Sequence, residues 1–257
     1  MLSSYLLGEG DRPTVLLHGF LGMGKNVRGL AQGLVAAQPD RRILVPDLTG
    51  HGASPPLPAG ANLATLAGDV LETADAAGLA GALSFIGHSL GGRVALAAAR
   101  DAAERVREVA FLDIGPGPVD ERHSGSRRVL DVLLEAPDEA PSRRDLRQYL
   151  VDHQLSPALA DWLVMNVRLE GGRARWSFDR RALDRLQLTT SAEDLWGVVE
   201  EGQAVCLCVR GSRSRYVSDQ DAARLQAADC PVVTLESGHD LHVEALPALL
   251  AALTSRR

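Results

Sequence analysis

The 257-residue chain has no apolar run long enough to cross a bilayer, and Met1 to Gly10 lacks the basic start and sustained apolar stretch of a secretion signal. A cytoplasmic protein with no membrane partner is expected. Blocks of like charge are missing too. The 27 Lys and Arg are interspersed with 33 Asp and Glu, a mildly acidic balance with no footprint for nucleic acid. Cysteine is scarce: Cys206, Cys208 and Cys230 have neither the spacing nor the companion histidines of a zinc site. The first two alternate with Val205 and Leu207 on an expected buried strand, so all three read as structural thiols, with no metal or cofactor implied.

What is present is apolar sequence, 46% of residues, enough for a sizeable core in one large domain or a domain carrying an insertion. The chain is organised around Ser84 to Arg100. Here a short strand, Leu83 to Ile86, stops at Gly87-His88-Ser89-Leu90-Gly91 and restarts as an alanine-rich helix from Arg93 to Arg100. A serine on a sharp strand-to-helix turn has strained backbone angles, so its neighbours two residues either side must be small. Both are glycine, and Gly92 adds a third. Such a turn lifts the hydroxyl above the amino end of the helix, where N–H groups point at developing negative charge. Ser89 is thus the candidate nucleophile of an acyl transfer; the strand-turn-helix context weighs against an ordinary tight turn.

Earlier in the chain, Thr14 to Leu17 is an expected strand ending at His18-Gly19-Phe20-Leu21-Gly22. In an enzyme using Ser89 this loop lies beside the elbow, and the backbone N–H groups of Phe20 and Leu90 form the oxyanion hole. A helix over Asn26 to Ala37 and a strand over Arg42 to Pro46 lead to Asp47-Leu48-Thr49-Gly50-His51-Gly52-Ala53-Ser54, where Asp47 and His51 read as structural turn residues. A helix over Asn62 to Gly78 precedes the elbow strand. The strand after the elbow helix, Val106 to Leu112, delivers Asp113 at its carboxyl end, where open parallel sheets place ligands.

From residue 119 to 196 the alternation lapses into helical, charged sequence (Arg128 to Leu134, Arg143 to His153, Pro157 to Val167, Arg181 to Leu186), which reads as an inserted helical lid on a core made of residues 1–118 and 197–257. Trp162, Met165, Trp176 and Phe178 either line an acyl pocket or pack within this lid. The alternation resumes with a strand over Ala204 to Val209, a helix through Ala227 and a last strand, Pro231 to Leu235. That strand ends at Ser237-Gly238-His239, before a closing helix to Leu253. His239 is the candidate base.

The ordered set HGF, DLTGHGAS, GHSLGG and SGHDLHVE resembles the α/β-hydrolase superfamily across nearly the whole chain. The resemblance implies an α/β fold, a mostly parallel central sheet flanked by helices with an inserted helical lid, and catalytic groups in the chain order Ser, acid, His. Many members carry the acid in a G-x-x-D turn after the lid, but here that turn reads Gly211-Ser212-Arg213-Ser214. Asp113, Asp219 or a triad without an acid remain. Asp113 is preferred because strand ends are geometrically fixed, and Asp219 reads as a helix cap.

FLDIGP and RGSRSRYVSD are similar to the small esterase and thioesterase branch that includes bacterial YbfF-type esterases and ABHD11-like hydrolases. That likeness implies Asp113 as the acid, Ser214 as an auxiliary group near the histidine, and action on short to medium acyl esters or acyl-CoA. The only partner implied is a small-molecule ester or thioester, and the chain is expected to be a monomer or homodimer. A serine nucleophile argues against the aspartate chemistry of dehalogenases and epoxide hydrolases. A menaquinone-pathway-type lyase and a non-catalytic ligand-binding protein stay as alternatives. His88 and His242 read as local packing residues, and Arg93 and Arg215 as cations for an anionic substrate head or as ordinary surface arginines.

Overall fold

The structure, a computed structural model, describes residues 1–120 and 125–255. Strands β1 (Ser4–Leu7) and β2 (Arg12–Leu17) lead into α1 (Arg28–Ala37), β3 (Arg41–Pro46), α2 (Leu63–Ala76), β4 (Leu83–His88), α3 (Leu90–Asp101) and β5 (Val106–Leu112). Then come α4 (Gly125–Glu135), β6 (Glu139–Ala140), α5 (Arg143–Asp152), α6 (Pro157–Leu163), β7 (Val167–Glu170), β8 (Arg173–Trp176), α7 (Arg180–Ala192) and α8 (Trp196–Glu200). The chain closes with β9 (Val205–Gly211), α9 (Asp219–Ala227), β10 (Val232–Leu235), α10 (Leu241–Glu244) and α11 (Leu246–Thr254).

Seven strands form one sheet in the order β1-β3-β2-β4-β5-β9-β10. All its neighbours run parallel except β1, which pairs antiparallel with β3 at the edge. Helices cover both faces, so the central strands are apolar on both sides rather than alternating, and every residue of β4 is buried. The two-residue period then sends neighbours to opposite cores. Leu16, Ile43 and Ile86 pack with Leu30 and Leu34 of α1 and Leu249 and Leu253 of α11, while Leu17, Phe85 and Phe111 pack with Leu66 and Val70 of α2 and Val94 of α3. Each such side chain contributes about 1.5–3 kcal/mol by leaving water. This is the fold that the motif order implies.

Between β5 and β9 the chain leaves the main sheet. The segment is helical, as the sequence suggests, but it also holds a three-stranded antiparallel sheet in the order β6-β8-β7. The helix expected over Pro157 to Val167 ends at Leu163, and Val167 opens β7. Gly171 and Gly172, both at positive φ (58° and 76°), close the hairpin to β8. The expected insertion 119–196 includes residues 121–124, which lie outside the described residues. Among the described residues, no helix is long and apolar enough to cross a membrane.

Arg93, on α3, ties this segment to the core. It is buried, and its guanidinium donates to the carbonyls of Gly115 (3.1 Å) and Gly117 (2.7 Å) where the segment departs and to those of Thr190 (3.1 Å) and Glu193 where it returns. The reading of Arg93 as a receptor for an anionic substrate head is therefore corrected: main-chain carbonyls occupy its donors.

Candidate active site

The elbow forms where β4 meets α3. Ser89 takes φ 52° and ψ −118°, a left-handed φ that costs a non-glycine residue and is held by its surroundings. The flanking glycines are sterically required. A Cβ on Gly87 would stand 2.2 Å from the Gly91 carbonyl oxygen, and one on Gly91 would stand 2.6 Å from that of His18. The Ser89 N–H donates to the Leu112 carbonyl at 2.9 Å, which fastens the turn to the end of β5.

Asp113 is the next residue beyond that carbonyl. Its own N–H donates to Val209 on β9 (2.8 Å), its φ is also 52°, and its side chain is fully buried. One carboxylate oxygen, Oδ1, accepts from the Gly211 N–H at 2.8 Å. The other, Oδ2, accepts from Ser214 Oγ and from His239 Nδ1, the latter at 2.7 Å. A neutral imidazole donating from Nδ1 keeps its lone pair on Nε2. Gly211 is needed twice, since a Cβ there would stand 2.3 Å from the Gly238 carbonyl oxygen, in the loop that carries His239.

The structure thus brings Asp113, His239 and Ser214 together and leaves Asp219 outside. Asp219 is exposed and pairs with Arg210 at 2.7 Å. It is not the helix cap either: Ser218 Oγ accepts from the Asp221 N–H at 3.0 Å at the start of α9.

Two aromatic neighbours frame His239. The Tyr216 ring lies over it, with centroids 4.2 Å apart and planes at 31°. His88 donates from Nε2 to the His239 backbone carbonyl at 2.9 Å, with ring centroids 4.6 Å apart. Burial above all, then the charges of His239 and His242, hold the His88 ring well below its ordinary pKa, so it stays neutral. The packing role expected for His88 omits this bond, which spans 151 residues of sequence and has no local signal.

His18 and His51 lie at the other flank. His18 donates from Nδ1 to the Gly19 carbonyl (2.8 Å) and accepts at Nε2 from the Leu48 N–H (2.9 Å), and burial pushes it down to about 4. His51 is driven to about 3 by burial and then by His18, and it donates from Nδ1 to the Thr49 carbonyl at 3.0 Å. Asp47 accepts from the N–H groups of Gly24 (2.6 Å) and Ala53 (2.9 Å). The turn roles read for Asp47 and His51 match these bonds.

Ser89, Phe20 and Leu90 line one small cavity of about 30 Å³ with Ile114, Val119 and Gln187. Leu90 opens α3, so its N–H is among those that helix geometry leaves without an intrahelical acceptor. A larger cavity of about 220 Å³, rimmed by Arg215 and Asp221, shares Val119 and Tyr216 with the first. Neither is lined by Trp162, Met165, Trp176 or Phe178. Trp176 stacks on Phe178 at 5.8 Å and donates to the Pro137 carbonyl, so packing within the segment describes this pair better than an acyl pocket.

All three cysteines are buried and none is in a disulfide. A trio of side chains, His88, Asp240 and His242, offers donor atoms within 4.8 Å of one another. A tetrahedral ion at usual bond lengths asks for about 3.4 Å between donors, and His88 Nε2 is already engaged by the His239 carbonyl.

Residues 13–160 match the family described as alpha/beta hydrolase fold. The chain is 28% identical to the esterase YbfF of Escherichia coli (strain K12), over 95% of this chain and 92% of that protein. It is 27% identical to the sn-1-specific diacylglycerol lipase ABHD11 of Danio rerio, over 92% of this chain and 76% of that protein. Its fold superposes on a marine microorganism esterase with a TM-score of 0.85 at 21% identity, covering 99% of this chain and 98% of the other. With more than half of its length matched, and a seven-stranded sheet with the elbow on its central strand, the chain belongs to the alpha/beta hydrolase fold family.

Proposed function

We propose that the protein is a serine carboxylic ester hydrolase that works through an acyl-enzyme on short to medium acyl chains. The observation that carries this reading is the 2.7 Å bond from His239 Nδ1 to the fully buried Asp113, at the sheet edge where Ser89 is presented. Asp113 holds the imidazole in the tautomer with its lone pair on Nε2 and stabilises the imidazolium formed when His239 takes the Ser89 proton. The serine oxygen attacks the ester carbonyl, and the developing oxyanion is received by the N–H groups of Phe20 and Leu90. His239 then protonates the leaving alcohol, activates water and releases the acid. Ser214 donates a third hydrogen bond to Asp113, beside those from Gly211 and His239, and keeps the carboxylate oriented. Thioesters undergo the same acyl transfer.

The segment between β5 and β9 serves as the lid, since Gln187 and Thr190 of α7 reach the cavity at Ser89. Relatives named as an esterase and a lipase support the reaction class. Steady-state hydrolysis of p-nitrophenyl esters from acetate to palmitate, with Ser89→Ala alongside, tests the proposal. Turnover with a chain-length optimum, abolished in the variant, is expected. A wild-type protein that hydrolyses none of these esters would overturn it and favour a lyase on the same scaffold.

A further inference from the structure

The cavity at Ser89 is not a plain hydrocarbon slot. Gln187, on the inner face of α7, is 4% exposed; its Nε2 donates to Ser126 Oγ at 2.9 Å, while its Oε1 is buried with no hydrogen-bond partner among the described residues. A buried amide oxygen left without a donor is destabilising, and native proteins keep few of them. This one belongs to a side chain that lines the same cavity as Ser89, Phe20 and Leu90. Neither of two neighbouring hydroxyls serves it: Ser126 Oγ lies against Nε2 instead, and Thr190 Oγ1 donates to the Leu186 carbonyl of its own helix at 2.8 Å. The unmet acceptor therefore awaits a donor from whatever fills the cavity.

Resting on the assignment of Ser89 as nucleophile, we propose that this cavity is the acyl subsite and that it selects short hydroxyacyl groups, whose hydroxyl donates to Gln187 Oε1. Two features direct the acyl part here. Phe20 and Leu90, which would hold the carbonyl oxygen, line it, and His239, beside which the departing alcohol must sit to receive its proton, does not. At about 30 Å³ it has room for roughly two or three non-hydrogen atoms beyond the carbonyl, one of them the hydroxyl oxygen, so the group is a hydroxyacyl of about two or three carbons. Leu90, Ile114 and Val119 supply apolar contact for the carbons; the polar side chains that also line the cavity, Arg93, Ser126, Thr190, Ser191 and Tyr216, all have partners of their own, leaving Gln187 Oε1 to recognise the polar end. An unsubstituted alkyl group of the same size would seal Oε1 against hydrocarbon, the situation in which polar sites discriminate strongly.

The test compares kcat/KM of the wild-type protein for p-nitrophenyl hydroxyacetate, both enantiomers of p-nitrophenyl 2-hydroxypropionate and p-nitrophenyl 3-hydroxypropionate with the acetate and propionate esters, each normalised to its alkaline hydrolysis rate. At least one hydroxy ester is expected to be preferred by about 10-fold or more, with the ratio collapsing towards one in Gln187→Leu. If Gln187→Leu does not fold, the wild-type ratios decide alone. Equal rates on hydroxy and alkyl esters, with turnover still lost in Ser89→Ala, would overturn the subsite and leave the esterase reading standing. A preference that survives in Gln187→Leu would overturn it as well. Hydrolysis of no ester at all would overturn both.

Discussion

The Nε2 of His88 stands 2.9 Å from the backbone carbonyl of His239, so the residue preceding the elbow serine holds the loop that presents the imidazole. A ring at position 88 is also packed between His239 and His242. His88→Phe keeps an aromatic ring there and removes only the donor. We expect kcat/KM for p-nitrophenyl acetate to fall about 10- to 100-fold, the scale of a small misplacement of a reacting group. Rates matching wild type in a folded variant would show that the bond is dispensable.

The bonds to Asp113 rank three substitutions. Asp113→Asn is expected to lower kcat by about three or more orders of magnitude, as loss of the orienting carboxylate does in serine triads. Ser214→Ala removes one charge-assisted bond and leaves those from Gly211 and His239, so a loss of about 10-fold is expected. Asp219→Asn, exposed and paired with Arg210, should change kcat less than about twofold. Any other order in steady-state assays would count against Asp113 as the acid.

Much of this was legible because the signals are local. Ser89 needs small neighbours within two residues, Asp113 directly follows β5 and His239 lies in the loop just beyond β10, and a strand end can be read from where an apolar run stops. The hairpin of β7 and β8 was also legible in principle, since Gly171-Gly172 between alternating residues is a turn signal. It was obscured by the helical character of the sequence around it. The rest is written in no local pattern. The bond from His88 to His239, the four carbonyls around Arg93 and the unmet Oε1 of Gln187 depend on elements that meet only in the folded chain.

Acidification should weaken the fold before the carboxylates titrate. His18 and His51 are held at about 4 and about 3, below the ordinary 6.5, so between these values the unfolded chain binds protons that the native chain refuses. Their contribution is complete above pH 6.5 and is lost as the pH falls towards 4 and 3. Each costs about 1.4 kcal/mol per pH unit, on the order of 2 kcal/mol between pH 6.5 and 5. Urea unfolding at pH 7.5, 6 and 5 should show the midpoint dropping at each step. A constant midpoint would mean that both rings protonate freely in the native state.

Arg93→Met should cost about 3 kcal/mol or more, because it strands main-chain carbonyls that are buried around the guanidinium. Thermal unfolding measures the loss. Limited proteolysis should then cut first near residues 115–119 and 190–196, and cleavage elsewhere would separate the role of Arg93 from those two junctions.

One guanidinium grips both the outgoing and the returning ends of the segment that covers Ser89, and it sits one helical turn beyond that serine on α3. The two ends are thereby pinned together beside Ser89; if the segment is the lid proposed above, its displacement is expected to be smallest next to that serine and largest at the parts farthest from Arg93.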